Sequence, residues 1–222
     1  MYTLYCGNKN YSSWSLRAWL LLTHFGIPFE ERMVEVTGRG VSDAHRPYSG
    51  NGLVPCLHDD GFQVWESLAI AEYLAERYPQ IWPEHGQARA RARSIAAEMH
   101  AGFGALRGAY PMNIKLRLAG RPASAAVQAD IDRIVAIWHD ARERFGQHGP
   151  WLFGRFSAAD AMYAPVVWRF ITYNVPLPEG AAAYRDAMLE LPAMRSWQAG
   201  ALAERSCIEA CDSLAAEHGG PR

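Results

Sequence analysis

The chain has 222 residues, half of them hydrophobic, and a formal charge of −1. That length and apolar content support one large core or two smaller ones, and the near-neutral charge excludes the basic excess that marks nucleic-acid binding. Cys6, Cys56, Cys207 and Cys211 are too few and too irregularly placed for a disulfide framework, and no His or Cys pair lies near enough in sequence to complete a zinc site, so no metal is expected.

Buried or half-buried thiols are the expectation, with Cys207 and Cys211 on one face if their segment is helical. The chain starts on a strand-like run without a basic leader, and no apolar run is long enough for a membrane span. A cytoplasmic protein without membrane contacts is expected. Arg89, Arg91 and Arg93 form the one basic run, and helical spacing spreads them over a solvated or intersubunit face.

In chain order, Tyr2 to Cys6 reads as a strand and Ser15 to His24 as a helix, with Leu16, Trp19, Leu20 and Thr23 at helical spacing and Gly26 closing it. Between them, Asn10-Tyr11-Ser12-Ser13-Trp14-Ser15-Leu16-Arg17 places hydroxyls where the strand ends and the helix begins. Exposed amides and the positive end of the helix dipole suit an anion there. If that anion is a thiolate, the site activates a sulfur nucleophile.

Phe29 to Val36 reads as a second strand after Pro28. Thr37 to Asn51 is polar, with a short irregular helix expected in it. Leu53-Val54-Pro55-Cys56-Leu57 reads as a third strand, and Asp59-Asp60-Gly61 turns into a fourth at Phe62-Gln63-Val64-Trp65. Glu66-Ser67 opens a helix striped by Ile70, Ala71, Leu74 and Tyr78. The order is β-α-β-α-β-β-α.

Pro79 to Glu84 reads as a linker, after which the pattern is helical. Ala88 to about Arg107 forms one amphipathic helix with Met99, Phe103 and Leu106 on its apolar face, and Phe103 is expected in the core. Tyr110-Pro111-Met112-Asn113 interrupts the helical pattern, and Ala125 to Phe145 resumes it. Phe156-Ser157-Ala158-Ala159-Asp160 gives a capping-box start to a buried helix, a structural role for Asp160. Pro176, Pro178, Gly180 and Pro192 divide the remainder.

This β-α-β-α-β-β-α unit with a helical second part resembles the cytosolic glutathione transferases. Leu53-Val54-Pro55, Glu66-Ser67-Leu68-Ala69-Ile70-Ala71-Glu72-Tyr73-Leu74 and Phe156-Ser157-Ala158-Ala159-Asp160-Ala161 match its motifs in order. The resemblance implies an α/β thioredoxin-like domain over 1–79, an all-α helical bundle over 86–222, glutathione as co-substrate and a homodimer. Ser12-Ser13-Trp14-Ser15-Leu16-Arg17 looks most like the serine-type loop of the zeta class, with Trp14 where that class has cysteine. Mixed-disulfide chemistry at that position is thereby excluded.

A free thiol, with a pKa of about 8.5, is only a few per cent ionised at neutral pH. Lowering it by about two units takes roughly 2.7 kcal/mol. One hydrogen bond to a charged group supplies about 1.5–3 kcal/mol, and a helix end roughly 0.3–1. The zeta-like motif assigns the hydroxyl to Ser12, with Ser13 as runner-up and helix capping as the simpler role for either. Tyr11 is expected to pack.

The resemblance further implies a cis Val54–Pro55 bond that presents Val54 to the cysteinyl backbone of glutathione, an edge-strand proline being the plainer alternative. It implies Glu66 and Ser67 at the γ-glutamyl group, with plain N-capping by Ser67 as the alternative. Arg39, His45 and Arg46 are candidates for the glycine carboxylate. Trp14, Tyr110 and Met112 are expected to line an apolar pocket for a small hydrophobic electrophile. Conjugation of that electrophile is the implied reaction. A glutathione-dependent cis-trans isomerase of a maleyl-type diacid, with Arg17 and Arg107 as cations, and a non-catalytic binding protein are the alternatives.

Overall fold

The computed structural model describes residues 1–38, 40–120, 122–209 and 211–213. Its first part is a four-stranded sheet of β1 (Tyr2–Cys6), β2 (Phe29–Met33), β3 (Cys56–Asp59) and β4 (Phe62–Val64) in the order β2-β1-β3-β4. β1 runs parallel to β2 and antiparallel to β3, and β3 to β4 is antiparallel. A parallel pair needs a crossover, which α1 (Ser13–His24) provides; α2 (Ser67–Ala75) follows the β3–β4 hairpin. The register pairs Leu4 with Leu57 and Leu57 with Val64, three buried side chains in a row across the sheet.

The second part is helical: α3 (Gly86–Ala101), α4 (Gly104–Ala109), α5 (Ala125–Phe145), α6 (Ala158–Thr172), α7 (Glu179–Glu190) and α8 (Pro192–Ala203). α6 is buried along almost its whole length, as its lack of a polar stripe requires. Its own Tyr163 and Trp168 are fully buried, as are Trp138 of α5 and Tyr184 of α7 beside it. α1 fits between sheet and bundle, its Trp19 ring edge-on to Trp197 at 5.1 Å. Ile81 and Trp82, in the expected linker, are buried in the same core.

Several boundaries differ from the sequence expectation. α1 starts two residues earlier, because Ser12 caps it. β2 ends at Met33, its pairing with β1 running out at Cys6, and only the Val34 N–H continues to the Cys6 carbonyl. Leu53 to Pro55 precede β3 rather than belonging to it. The expected helix from Ala88 to Arg107 is two helices, broken where Phe103 takes φ +58°. Phe103 is buried nonetheless. The irregular helix expected between Thr37 and Asn51 is a single 3-10 turn, Asp43–His45.

Asp160 anchors the start of α6. Its two oxygens accept from the Leu152 and Ser157 amides and from the Tyr184 and Ser157 hydroxyls at 2.9–3.1 Å. Burial pushes its pKa up to about 6 against those four bonds. Among the described residues no group of His, Cys, Asp and Glu can hold a metal, and no helix is long and apolar enough to cross a membrane.

Candidate active site

β1 ends at Cys6, and Asn8 turns the chain: its carbonyl accepts from the Tyr11 and Ser12 amides, and its side chain accepts from Val36 N. Gly7 fits the turn because a Cβ there would lie 2.7 Å from Val36 Cγ2, 3.1 Å from Val54 Cγ2 and 3.2 Å from Ser12 Cβ. The turn delivers Ser12 to the N-cap of α1, where its Oγ accepts from Ser15 N at 3.3 Å. Ser12 and Ser13 both line a cavity of about 580 Å³ between sheet and bundle, a volume suited to a small-molecule ligand.

The same cavity is lined by Val54, Pro55, Glu66, Ser67, Trp14 and Met112. Val54–Pro55 is cis. Ser67 does not cap α2: the N-cap is Glu66, and the Ser67 hydroxyl is buried with no partner among the described residues. A buried hydroxyl left unpaired is costly. Beside it are the free first amides of a nine-residue helix, so this corner offers donors that an anion would satisfy. Glu66 in turn meets His100 of α3 at 2.7 Å.

Of the three cations considered for a carboxylate, His45 lines the cavity, buried, with Nε2 on the Glu35 carbonyl and Nδ1 without a partner among the described residues. Arg46 points to Asp43 on the surface. Arg39 lies outside the described residues.

Tyr110 is placed differently from the expectation. Its ring is buried and stacks on Tyr173 at 4.3 Å, while Pro111 and Met112 reach the cavity. The residue follows the end of α4, and stacking two aromatic faces away from water is itself favourable. Tyr11 lines the cavity, but its phenol donates to Asp212 at 2.8 Å; burial and that bond push its pKa up to about 12. Cys211 is buried and lines the cavity, whereas Cys207 is exposed, outside the turn in which Cys211 and Asp212 bond to the Ile208 carbonyl. The expectation of a buried Cys207 is corrected accordingly.

The bundle side of the cavity is more cationic than the sequence suggests. Arg17 of α1, Arg107 of α4 and Arg169 of α6 all line it. Arg17 is 2% exposed; its Nε donates to the Met162 carbonyl, but one terminal nitrogen has no partner among the described residues. Burial, then Arg169 and Arg107, pull its pKa down to about 9. The Trp14 ring takes up part of this charge, with the Arg17 and Arg107 guanidiniums 4.3 and 5.3 Å from its centroid. Trp14 is thus a cation-binding face as well as an apolar wall. Arg169 went unread in the sequence, although a single charge within the otherwise apolar run Ala161 to Thr172 was its signal.

Two family models match the chain: the glutathione S-transferase N-terminal domain over residues 11–77 and its C-terminal domain over 121–197. Glutathione S-transferase theta-1 of Homo sapiens is 34% identical over 145 residues, 60% of this chain and 59% of that protein. A probable maleylacetoacetate isomerase of Caenorhabditis elegans is 23% identical over 195 residues, covering 86% and 89%. The matched part of this chain spans less than two thirds of the human, mouse and rat theta-1 proteins.

A glutathione transferase homolog from Burkholderia gl BGR1, solved with bound glutathione, shares the fold with TM-score 0.71 at 24% identity over 91% of this chain and 99% of that one. The theta-class enzyme of Xanthomonas axonopodis pv. citri, also with glutathione bound, gives 0.65 at 23% over 92% and 99%. With both domain models matched in order over the greater part of its length, and the same fold, the chain belongs to the glutathione S-transferase family.

Proposed function

We propose that this protein is a glutathione transferase that joins the glutathione thiolate to small hydrophobic electrophiles, with Ser12 donating the hydrogen bond that keeps the sulfur ionised and Ser13 beside it. The observation that carries this reading is the unpartnered Ser67 hydroxyl, buried at the start of α2 on the cavity that Ser12 also lines. A γ-glutamyl carboxylate there would accept from Ser67 and the free helix amides, its ammonium facing Glu66. The Val54 backbone, turned by the cis bond, would pair with the cysteinyl unit like an added strand. With Nε2 donating to the Glu35 carbonyl, His45 would give a second N–H, from Nδ1, to the glycine carboxylate in its doubly protonated form.

In this reading residues 1–79 hold the tripeptide and residues 86–222 shape the second pocket with Trp14 and Met112. The chain works as a cytoplasmic homodimer, for which the exposed Phe62 and Trp65 on β4 and the turn after it offer an apolar patch. Calorimetry with glutathione tests binding, and Ser12→Ala tests the thiolate role: binding retained with conjugation lost supports it, and full activity moves the role elsewhere.

A second reaction is favoured by Arg17, whose buried charge faces two other arginines and makes no ion pair among the described residues, Glu66 acting on it only from a distance. Such a pocket suits an anionic substrate, in keeping with cis-trans isomerisation of a maleyl-type diacid. Glutathione is regenerated in isomerisation and consumed in conjugation, so its stoichiometry separates the two.

A further inference from the structure

We propose that Ser15 is a positioning residue for the thiolate: its buried hydroxyl dictates which way the Ser12 proton points, and thereby makes Ser12 a donor to the cavity. The inference rests on Ser12 being the thiolate donor. Ser15 is fully buried in the first turn of α1. Its Oγ accepts from the Gly7 N–H at 2.9 Å and lies 2.8 Å from Ser12 Oγ, and these are its side-chain partners among the described residues.

Each hydroxyl has one proton to give. Were Ser12 to give its proton to Ser15, the Ser15 oxygen would take two donors while its own proton, sealed from water, would have no acceptor. The opposite direction satisfies every group. Gly7 N–H donates to Ser15, and Ser15 O–H donates to Ser12. Ser12 Oγ then accepts twice, from the Ser15 hydroxyl and from the Ser15 amide at 3.3 Å. Its lone pairs are thereby taken up, and its proton is left for the cavity that Ser12 lines. Bonds in such a chain polarise one another, which strengthens the last of them toward a bound anion. The spacing follows from the helix: residues three apart share a face, so a Ser-x-x-Ser at this junction brings the two oxygens together.

The test is the pKa of the glutathione thiol in its complex with the full chain, read from thiolate ultraviolet absorbance across pH, in wild type, Ser12→Ala, Ser15→Ala and Ser15→Thr. In Ser15→Ala the thiol pKa is expected to rise by about 0.5 to 1. The glutathione Kd should hardly change, and turnover at neutral pH should fall roughly threefold to tenfold. Ser15→Thr keeps the hydroxyl and is expected to stay with wild type. A Ser15→Ala value equal to wild type, or the same rise in Ser15→Thr as in Ser15→Ala, overturns the proposal. If Ser15→Ala does not fold, Ser15→Cys, of similar volume and a weak donor, is read the same way, an unchanged pKa again overturning it. Ser12→Ala separates the two claims: an unchanged thiol pKa there removes the Ser12 assignment itself, whereas a rise in Ser12→Ala alone removes only the relay.

Discussion

His100 Nε2 lies 2.7 Å from Glu66 Oε2, so a side chain of α3 steadies the residue that caps α2. The Trp14 ring stands edge-on to the same imidazole at 5.3 Å. One histidine of the bundle therefore touches both the start of α2 and the Trp14 wall of the cavity.

Loss of that contact should be felt in binding more than in stability. Glu66 is half exposed, which limits an ion-pair or hydrogen-bond contribution to about 0.5 kcal/mol. His100→Ala is expected to weaken glutathione binding about twofold and to leave the unfolding midpoint nearly unchanged. Calorimetry and thermal unfolding on the same preparation check this.

Ser67→Ala should separate affinity from stability more sharply. The hydroxyl it removes has no partner among the described residues, so the variant should be as stable as wild type or slightly more so. A hydrogen bond to a carboxylate contributes about 1.5–3 kcal/mol, so the glutathione Kd should rise at least roughly tenfold. A stability loss with no change in Kd would place the serine in a purely structural role.

Arg17→Met replaces a buried cation among cations with an apolar side chain of similar reach. Removing the charge relieves repulsion from Arg169 and Arg107, while the Met162 carbonyl loses its donor; the two nearly offset, to within about 1 kcal/mol. Turnover of a maleyl-type diacid should fall by at least tenfold, and that of a neutral electrophile much less. Equal losses for both would mean that Arg17 does not read charge.

Asp160 gives a pH signature. Its carboxyl titrates at 3.8 ordinarily and at about 6 in the folded chain, raised by burial. Between those values the native state holds more proton than the unfolded one, so the contribution is complete below about pH 4 and is lost as pH rises through about 6. Asp160→Asn should flatten that part of the stability curve, seen as urea midpoints measured from about pH 4 to 7. Asp160→Ala, which strands four donors, should cost about 2–5 kcal/mol.

Periodicity and punctuation marked the local elements: the Tyr2 to Cys6 strand, the Ala125 to Phe145 helix between Ser124 and Gly146, and the Ser157–Asp160 cap were all written in neighbouring residues. The order of elements, with the Val-Pro and Glu-Ser dipeptides, was enough to expect this fold and a thiolate site at Ser12. These are features whose causes lie within a few positions of one another.

What the tertiary structure alone decided depends on residues far apart in the chain. The left-handed Phe103 breaks a helix whose apolar stripe continues through it. Tyr110 turns to Tyr173 rather than to the pocket, and Arg169 comes from α6 to stand near Arg17. Ser67 could be known as an unfilled donor only once the α2 cap was seen to be Glu66. Burial, pairing and charge at one point in space are set by all the chain segments that meet there, and neighbouring sequence carries no record of who those neighbours are.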